Sequence, residues 1–193
     1  MAENKNEKII YSPAVIEFVT VCVEFCAFLE KDEIESRNEW LAKIIRILPL
    51  LYLKATLLPE TVQLNDEPLE TFVNEEDYAR IETKVASLMG EEDVYLDVFV
   101  EDMKYSDTPV SASISEDIAD IYQDIRNFVS VYQYHLTDQM IDALNRCVEN
   151  FKTYWGQKLV NIMRPLHALY YGDDLFSDEE NEEEDLNLDG LWD

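Results

Sequence analysis

SEDIADIYQDIRNFVSVYQYHL, residues 115–136, is the stretch that decides the fold of this chain. Its apolar residues recur at intervals of three and four, at positions 118, 121, 122, 125, 128, 129 and 132. That spacing is typical of the buried face of an amphipathic α-helix. We therefore predict a core helix here, around which the rest of the chain is organised.

Three further helices are predicted from their cap residues. Ser12 and Pro13 are a typical start for a helix that continues to about residue 29 and is apolar on nearly all sides. Ser36 and Glu39 have the spacing of a capping box at the start of the second helix. Asn74 is placed to cap a third, which carries three acidic residues in its first turn.

The last helix is predicted to be the longest, starting at Thr137 or Asp138. Its apolar residues form the seam of a bundle over about six turns: Ile141, Leu144, Val148, Phe151, Trp155, Leu159 and Ile162. Its other face is mildly basic, with Arg146, Lys152, Lys158 and Arg164. This basic face is expected to offset the acidic residues of the central helix.

Together these patterns predict an all-α protein, a single bundle of five to six helices over residues 1–172 with a disordered acidic tail at residues 173–193. Glycine scarcity, with four in the chain, argues against a many-stranded β fold. Residues 91–114 are the least helical part. Apolar residues alternate at positions 94, 96, 98 and 100, as in a short strand, but no partner strand is recognisable. We interpret this part as an ordered acidic connection.

The formal net charge of −27 is concentrated in two segments. Residues 173–193 contribute −11, residues 91–124 contribute −10, and the rest of the chain contributes −6. Such a charge repels nucleic-acid phosphates and anionic membranes, so we expect neither to be a direct partner. The odd number of cysteines, the lack of a signal peptide and the lack of a long apolar run indicate a reduced, cytoplasmic protein.

Asp117, Asp120 and Asp124 are the candidate metal ligands, because they share one flank of the central helix. Carboxylates in this arrangement can bind Mg²⁺ or Mn²⁺ in a metal-dependent phosphohydrolase-like bundle. A hard cation needs about six oxygen ligands, and no second acidic helix with matching spacing follows. The competing interpretation is a solvated acidic flank that pairs with the basic face of the last helix. No other cofactor is indicated.

The acidic tail carries a second candidate site, at Leu186, Leu188, Leu191 and Trp192. Acidic residues for steering, with a few apolar anchors, are typical of a docking peptide that binds a basic groove in a partner protein. The competing interpretation is a tail that only confers solubility. We favour a non-enzymatic, cytoplasmic protein–protein interaction or adaptor module. The metal-dependent phosphohydrolase-like bundle and an acidic nucleic-acid mimic are the alternatives, and the apolar first helix is compatible with a homodimer.

Two blocks of sequence also resemble a known family: EFVTVCVEFCAFLE, residues 17–30, and VSASISEDIADIYQDIRNFVSVYQ, residues 110–133. They are similar to a bacterial family of unknown function whose members are acidic, mainly helical and about two hundred residues long. The resemblance spans residues 10–170. It implies a helical fold, and it implies no activity, since neither block is a catalytic motif.

Overall fold

The computed structural model contains six α-helices of fourteen residues or more in the part of the chain that it describes. That part comprises residues 7–32, 36–66, 68–97, 110–134 and 137–186, without the side chains of 137, 138 and 173–186. The helices are α1 (Pro13–Glu30), α2 (Arg37–Thr56), α3 (Glu75–Met89), α4 (Ile114–Gln133), α5 (Thr137–Asn150) and α6 (Gly156–Leu186). A π-helical turn, Phe151–Trp155, joins α5 to α6, and strands β1 (Val94–Leu96) and β2 (Ser111–Ser113) pair beside them. The predicted all-α bundle is confirmed.

Helix α4 lies at the centre of the bundle and packs against α1, α3, α5, α6 and the π turn. Its predicted apolar stripe is buried as far as Val129, and Tyr132 is partly buried at the edge of the core. Because one helix supplies side chains to four neighbours, it decides the arrangement of all of them. The prediction of a central core helix is confirmed, with an end at Gln133.

Side-chain caps fix the starts of α2 and α3 as the sequence predicts. Ser36 Oγ accepts a hydrogen bond from the amide of Glu39, and the Glu39 carboxylate accepts one from the amide of Ser36. Ser36 Oγ also donates to the Glu39 carboxylate at 2.9 Å, and this bond, together with the one from the Ser36 amide, lowers the pKa of Glu39. Asn74 Oδ1 accepts from the amides of Glu76 and Asp77, each at 2.9 Å.

Pro49 lies inside α2, which continues to Thr56. At the far end of α3, Gly90 has a φ of 61°, a backbone conformation that L side chains rarely adopt. This glycine ends the helix and turns the chain into the 3₁₀ turn Gly90–Asp93.

The region interpreted as an acidic connection contains a two-stranded antiparallel sheet. Strand β1 pairs with β2 in a register that places Val94 opposite Ser113. The partner strand has the sequence Ser-Ala-Ser, which carries no hydrophobic alternation, and the sequence analysis missed it for that reason. Residues 98–109, between the strands, lie outside the described residues.

Asp93 anchors the start of α4 from the preceding 3₁₀ turn. Its Oδ1 accepts from the amide of Ser115 at 2.8 Å, and its Oδ2 accepts from the hydroxyl of the same serine at 2.6 Å. Ser113, which occupies the N-cap position, makes no side-chain capping bond. The start of the central helix is thus fixed by a residue that also leads into β1.

The segment between α2 and α3, residues 57–74, is named here the strap because side chains of α4 and α5 hold it at two points. The Asp142 carboxylate accepts from the amides of Leu64 and Asn65 and from the Asn65 side chain. Asn127 Oδ1 accepts from the amides of Phe72 and Val73 at 2.7 and 3.0 Å. Asp142 is buried. Because a buried carboxylate needs hydrogen-bond donors in place of water, these three donors stabilise it.

Helices α5 and α6 with the π turn form the long helix predicted from the seam pattern. All seven seam residues contribute to the core, with Phe151 only partly buried. The backbone remains helical to Leu186, past the expected boundary at residue 172. Residues 187–193 lie outside the described residues, as do the side chains of residues 173–186, and the disorder of the tail stays a prediction.

The three cysteines are free and buried in the core. Burial raises the pKa of each thiol, so none is a ready nucleophile. Among the described helices, none combines the length and the apolar character needed to cross a membrane.

Candidate functional site

The acidic flank of α4 packs against the π turn and the start of α6 and is largely withdrawn from solvent. Asp117 is 4% exposed, the Asp120 side chain is 12% exposed, and Asp124 is partly buried. The interpretation of this flank as solvated is therefore wrong. Its expected pairing with the basic face of the last helix is found.

Lys158 connects the first two aspartates. Its Nζ lies 2.5 Å from Asp117 Oδ1 and 2.8 Å from Asp120 Oδ2, so one ammonium group serves two carboxylates. Burial alone lowers the pKa of this lysine. The hydrogen bonds and charges of Asp117 and Asp120 outweigh burial and raise the pKa above its ordinary value. Lys158 is thus a permanent cation, which makes it unsuitable as a general base.

Three tyrosines surround the same carboxylates. Tyr95 donates its hydroxyl proton to Asp117 Oδ2, and Tyr78 donates to Asp120 Oδ1 at 3.0 Å. Burial, together with the neighbouring carboxylates, raises the pKa of both hydroxyls. Burial and a hydrogen bond to Asp120 raise the pKa of Tyr154 to about 12. The tyrosines are therefore protonated donors at neutral pH and not nucleophiles.

An open cleft of about 350 Å³ lies beside this network, lined by β2, the start of α4 and the π turn. Asp97, Glu116 and Asp117 line it with Lys158 and Tyr154. Asp97 accepts from the Asn161 side chain at 2.8 Å, and Asp117 accepts from Tyr95 and Lys158. These contacts hold Asp97 and Asp117 in place at the edge of the cleft.

Asp124 has different surroundings. Its Oδ1 accepts from Asn150 Nδ2 at 2.7 Å, whereas its Oδ2 is buried without a hydrogen-bond partner among the described residues. Burial raises the pKa of Asp124. Asp120 adds to this effect, while Asn150 and Arg146 oppose it. Asp124 lines a separate cavity of about 190 Å³ between α4, α5 and the strap.

The π turn brings Tyr154 and Lys158 to the acidic flank. A π turn adds one residue to a helix and is often found at functional sites. Gly156 follows it because a Cβ there would meet the carbonyl oxygen of Phe151 and approach the Phe151 ring within 3.0 Å. Trp155 Nε1 donates to the carbonyl oxygen of Cys147 at 3.2 Å, which satisfies a backbone acceptor within the long helix. A glycine inside an apolar seam is the sequence feature that could have indicated this turn.

The three predicted metal ligands are divided between the two places. Asp117 and Asp120 meet at Lys158, and Asp124 lines the cavity beyond them. Within the described residues, no three or more His, Cys, Asp or Glu side chains are grouped so as to hold a metal ion. The metal-site interpretation stays a prediction, and the geometry adds that an ion at Asp117 and Asp120 would have to displace Lys158.

The predicted docking residues Leu188, Leu191 and Trp192 lie outside the described residues, as does the side chain of Leu186. The pattern of the long helix places Lys158 on a basic face. Tyr78, Tyr95 and Tyr154 could not be predicted, because each comes from a different element and no local pattern links them to the aspartates.

The family model for a domain of unknown function, DUF5063, matches residues 9–172. The chain belongs to this family. The resemblance to a bacterial family of mainly helical proteins, inferred from residues 17–30 and 110–133, is thereby confirmed. The match includes all of α4 and the π turn, so the Lys158 network and the Asp124 cavity both lie within the family domain.

The chain is also similar to a bacterial protein of known structure. It is 46% identical to protein BF1032 from Bacteroides fragilis, a structural genomics target whose crystal structure is known, with a TM-score of 0.74. The similarity covers 84% of this chain and 96% of that chain. No protein with a curated description matches.

Proposed function

We propose that this protein is a non-enzymatic interaction module whose acidic segment, residues 173–193, docks into a basic groove of a partner protein. The observation that supports this function is how the two acidic segments of the chain differ. In residues 91–124, the described carboxylates are mostly committed to internal contacts. Residues 173–193 follow after the last buried core residue, Leu166.

Most of the described carboxylates in residues 91–124 form hydrogen bonds or ion pairs within the fold. Asp93 caps α4, Asp97 accepts from Asn161, and Glu92 forms a 2.6 Å ion pair with Arg37. Asp117 and Asp120 share Lys158. Arg37 and Lys158 offset part of this negative charge, and the hydrogen bonds hold the other carboxylates in internal contacts.

The second acidic segment has eleven acidic residues and no basic residue. The core of the described residues is complete between Ile10 and Leu166, with Leu169 and Tyr170 packed at its edge. In this proposal the tail gives a charged partner both a fast approach and apolar anchors, at Leu186, Leu188, Leu191 and Trp192.

The chemistry of the buried network agrees with a non-enzymatic role. Lys158 and its tyrosine neighbours have pKa values raised away from neutral pH, and they are bonded to carboxylates. A catalytic acid or base works best with a pKa near the operating pH. This supports a structural use of the network.

The test is photo-crosslinking from the tail of the full-length protein. A photoreactive residue replaces Asn187, which is not one of the proposed anchors. The captured protein is identified and purified, and its affinity for the unmodified chain is measured by titration calorimetry. We expect Leu188→Ser with Leu191→Ser to weaken binding at least tenfold, because both anchors become polar. The matched control is Leu175→Ser with Phe176→Ser, in the same tail but outside the terminal cluster, which is expected to keep the affinity within twofold.

Salt dependence completes the test. Acidic steering predicts an association rate that falls steeply between low and physiological ionic strength. Equal affinity for the full chain and for a chain lacking residues 173–193 would contradict the proposal. Equal loss in the terminal and control variants would contradict the assignment of the anchors.

A further inference from the structure

Three leucines at the end of α2 are exposed on one face of the helix. Leu50, Leu53 and the C-cap Leu57 follow each other at intervals of three and four residues, and they are 44%, 53% and 55% exposed. Residues with this spacing share a helix face. Single exposed apolar side chains are ordinary, but a row of them on one face is typical of an interaction surface. We name this row, together with Arg46 four residues before Leu50, the α2 face.

An open groove of about 310 Å³ lies beside the α2 face, between α2 and the first part of α6. Tyr52, which precedes Leu53, lines the groove from α2, and Val160 lines it from α6. Both side chains are exposed. Arg164 is exposed four residues after Val160, on the same side of α6. The surface offered to a partner thus combines apolar and basic side chains of two helices.

Basic residues are concentrated around this surface. Helix α2 and residues 152–172 together contain seven of the fifteen basic residues of the chain and one of its forty-two acidic residues. Lys54 and Lys158 are paired with carboxylates of α1 and α4. Arg46 instead contacts neutral groups, and its guanidinium lies over the Tyr170 ring at 5.9 Å. Because Arg46 is also exposed, its positive charge attracts an acidic segment to the α2 face.

Exposed apolar side chains also occur in acidic surroundings, on strand β1. Val94 and Leu96 are each 64% exposed and lie between the acidic residues 91–93 and Asp97. An acidic partner is repelled there and attracted at the α2 face. Charge therefore selects the α2 face for a segment rich in acidic residues and leucines, and the sequence has one such segment, residues 173–193.

The length of chain after α6 decides which copy supplies that segment. Helix α6 continues to Leu186, twenty-six residues beyond Val160, which is about 39 Å along the helix axis. Residues 187–193 span at most about 25 Å when fully extended. The terminal leucines and tryptophan of the same chain therefore do not reach the groove beside Val160, whereas those of a second copy have no such limit.

We infer that the partner of the acidic tail is a second copy of this chain, in which Leu188, Leu191 and Trp192 of one copy pack on the α2 face of the other. The inference rests on the function proposed above and names its partner. Carboxylates of the tail then lie near Arg46 of the other copy. Exchange of both tails between two copies gives a closed dimer with two identical contacts.

Analytical ultracentrifugation of the full-length protein tests this dimer. The net charge of −27 opposes association of two copies, so the measurement is made at physiological ionic strength, where charges are screened beyond about 8 Å. We expect a dimer whose fraction rises with protein concentration. Leu53→Ser with Leu57→Ser, in the face, and Leu188→Ser with Leu191→Ser, in the tail, should each weaken self-association at least tenfold.

A mixture of these two double variants distinguishes tail exchange from other dimers. The face variant has an intact tail and the tail variant has an intact face, so the mixture should form a one-to-one complex although neither variant associates alone. Val94→Ser with Leu96→Ser is the matched control, because it removes two exposed apolar side chains from acidic surroundings, and it should dimerise like the parent. Arg46→Glu keeps the apolar contacts and should weaken association at least fivefold. Circular dichroism and thermal unfolding identify the variants that remain folded.

Three results would overturn the inference. A monomeric parent chain would do so, whether the tail lies on its own chain or binds another protein. If the tail then crosslinks to a different protein, the function proposed above stands without this inference. Dimers that persist in the tail variant would indicate direct contact between two α2 faces. A mixture of the two variants that stays monomeric would exclude the exchange of tails.

Discussion

The buried carboxylates at the two ends of the acidic flank of α4 are stabilised to different extents. Asp117 and Asp120 have their charge compensated by Lys158 and their oxygens filled by Tyr95 and Tyr78. Asp124, one turn further, has one oxygen paired with Asn150 and one buried oxygen unpaired. The first two aspartates have hydrogen-bond or ion-pair partners on both carboxylate oxygens, whereas the third has a partner on only one.

The difference shows why a row of carboxylates in a sequence does not define one site. Residues spaced at three and four share a helix flank, but their neighbours come from other elements. Lys158 lies 41 positions from Asp117 along the chain, and it reaches only the first two aspartates. Among the described residues, the one carboxylate oxygen that is buried without a partner is therefore at Asp124.

The largest expected effect is the loss of the shared cation. Lys158→Met leaves two buried carboxylates uncompensated, and we expect it to lower the free energy of unfolding by about 3 kcal/mol. Urea denaturation with an unchanged m-value measures this. Lys152→Met is the control, because its ion pair with Glu149 is exposed, and its effect should be below about 0.5 kcal/mol. Similar losses in both variants would contradict the structural role of Lys158.

The next effect compares the two ends directly. Asp117→Asn removes a charged acceptor from Tyr95 and Lys158 and should cost about 2 kcal/mol. Asp124→Asn, the same change at the other end, should cost less than about 0.5 kcal/mol or raise stability, because the oxygen it replaces is unpaired. Paired chemical denaturation at pH 7 makes the comparison. Equal costs would mean that both aspartates are equally satisfied.

A smaller effect is expected at the π turn, which aligns Lys158 with the first end only. Gly156→Ala places a methyl group against the carbonyl oxygen of Phe151, and we expect a loss of about 1.5 kcal/mol from overpacking. Gly172→Ala is the matched control in the same helix, since a Cβ there meets no atom within 4 Å. The melting temperatures of the two variants measure this difference. A Gly156→Ala protein as stable as the Gly172→Ala control would show that the turn accommodates the methyl group.

The smallest effect is a pH dependence at the unpaired end. Burial raises the pKa of Asp124 in the folded protein. The folded state then holds this proton more tightly than the unfolded chain, so the stability contribution is full below the usual aspartate range and is lost as pH rises through the raised pKa. The advantage of Asp124→Asn over the parent should therefore grow with pH upward from about 4. Denaturation of both proteins between pH 4.5 and 7 tests this, and an advantage that shrinks with rising pH would contradict it.

Local patterns predicted most of the fold. The apolar stripe of α4, the capping box at Ser36 and the cap at Asn74 depend on residues within four positions of each other, and the structure has all three. The seam of the long helix is of the same kind. Such features follow from helix periodicity and hydrogen-bond chemistry within one turn.

Contacts between distant elements could be predicted only in part. The basic face of the long helix indicated a counter-charge for α4, and Lys158 fulfils that role. The tyrosine donors and the Asp93 anchor depend on the packing of separate elements, which no single-helix pattern describes. The role of Asp142 could have been predicted, because an acidic residue beside a bundle seam is expected to have buried partners. In the structure it holds the strap through Leu64 and Asn65.

The π turn also fixes the rotational phase between the two halves of the long helix. Each residue of an α-helix advances the chain by about 100° around the axis. Because the turn accommodates one extra residue, winding the same residues as an uninterrupted α-helix would rotate everything after the turn by about that angle. Lys158 would then leave Asp117, and Leu159 and Ile162 would leave the core together. The turn therefore keeps the seam after it in phase with the seam before it, with one residue more than an uninterrupted α-helix would need.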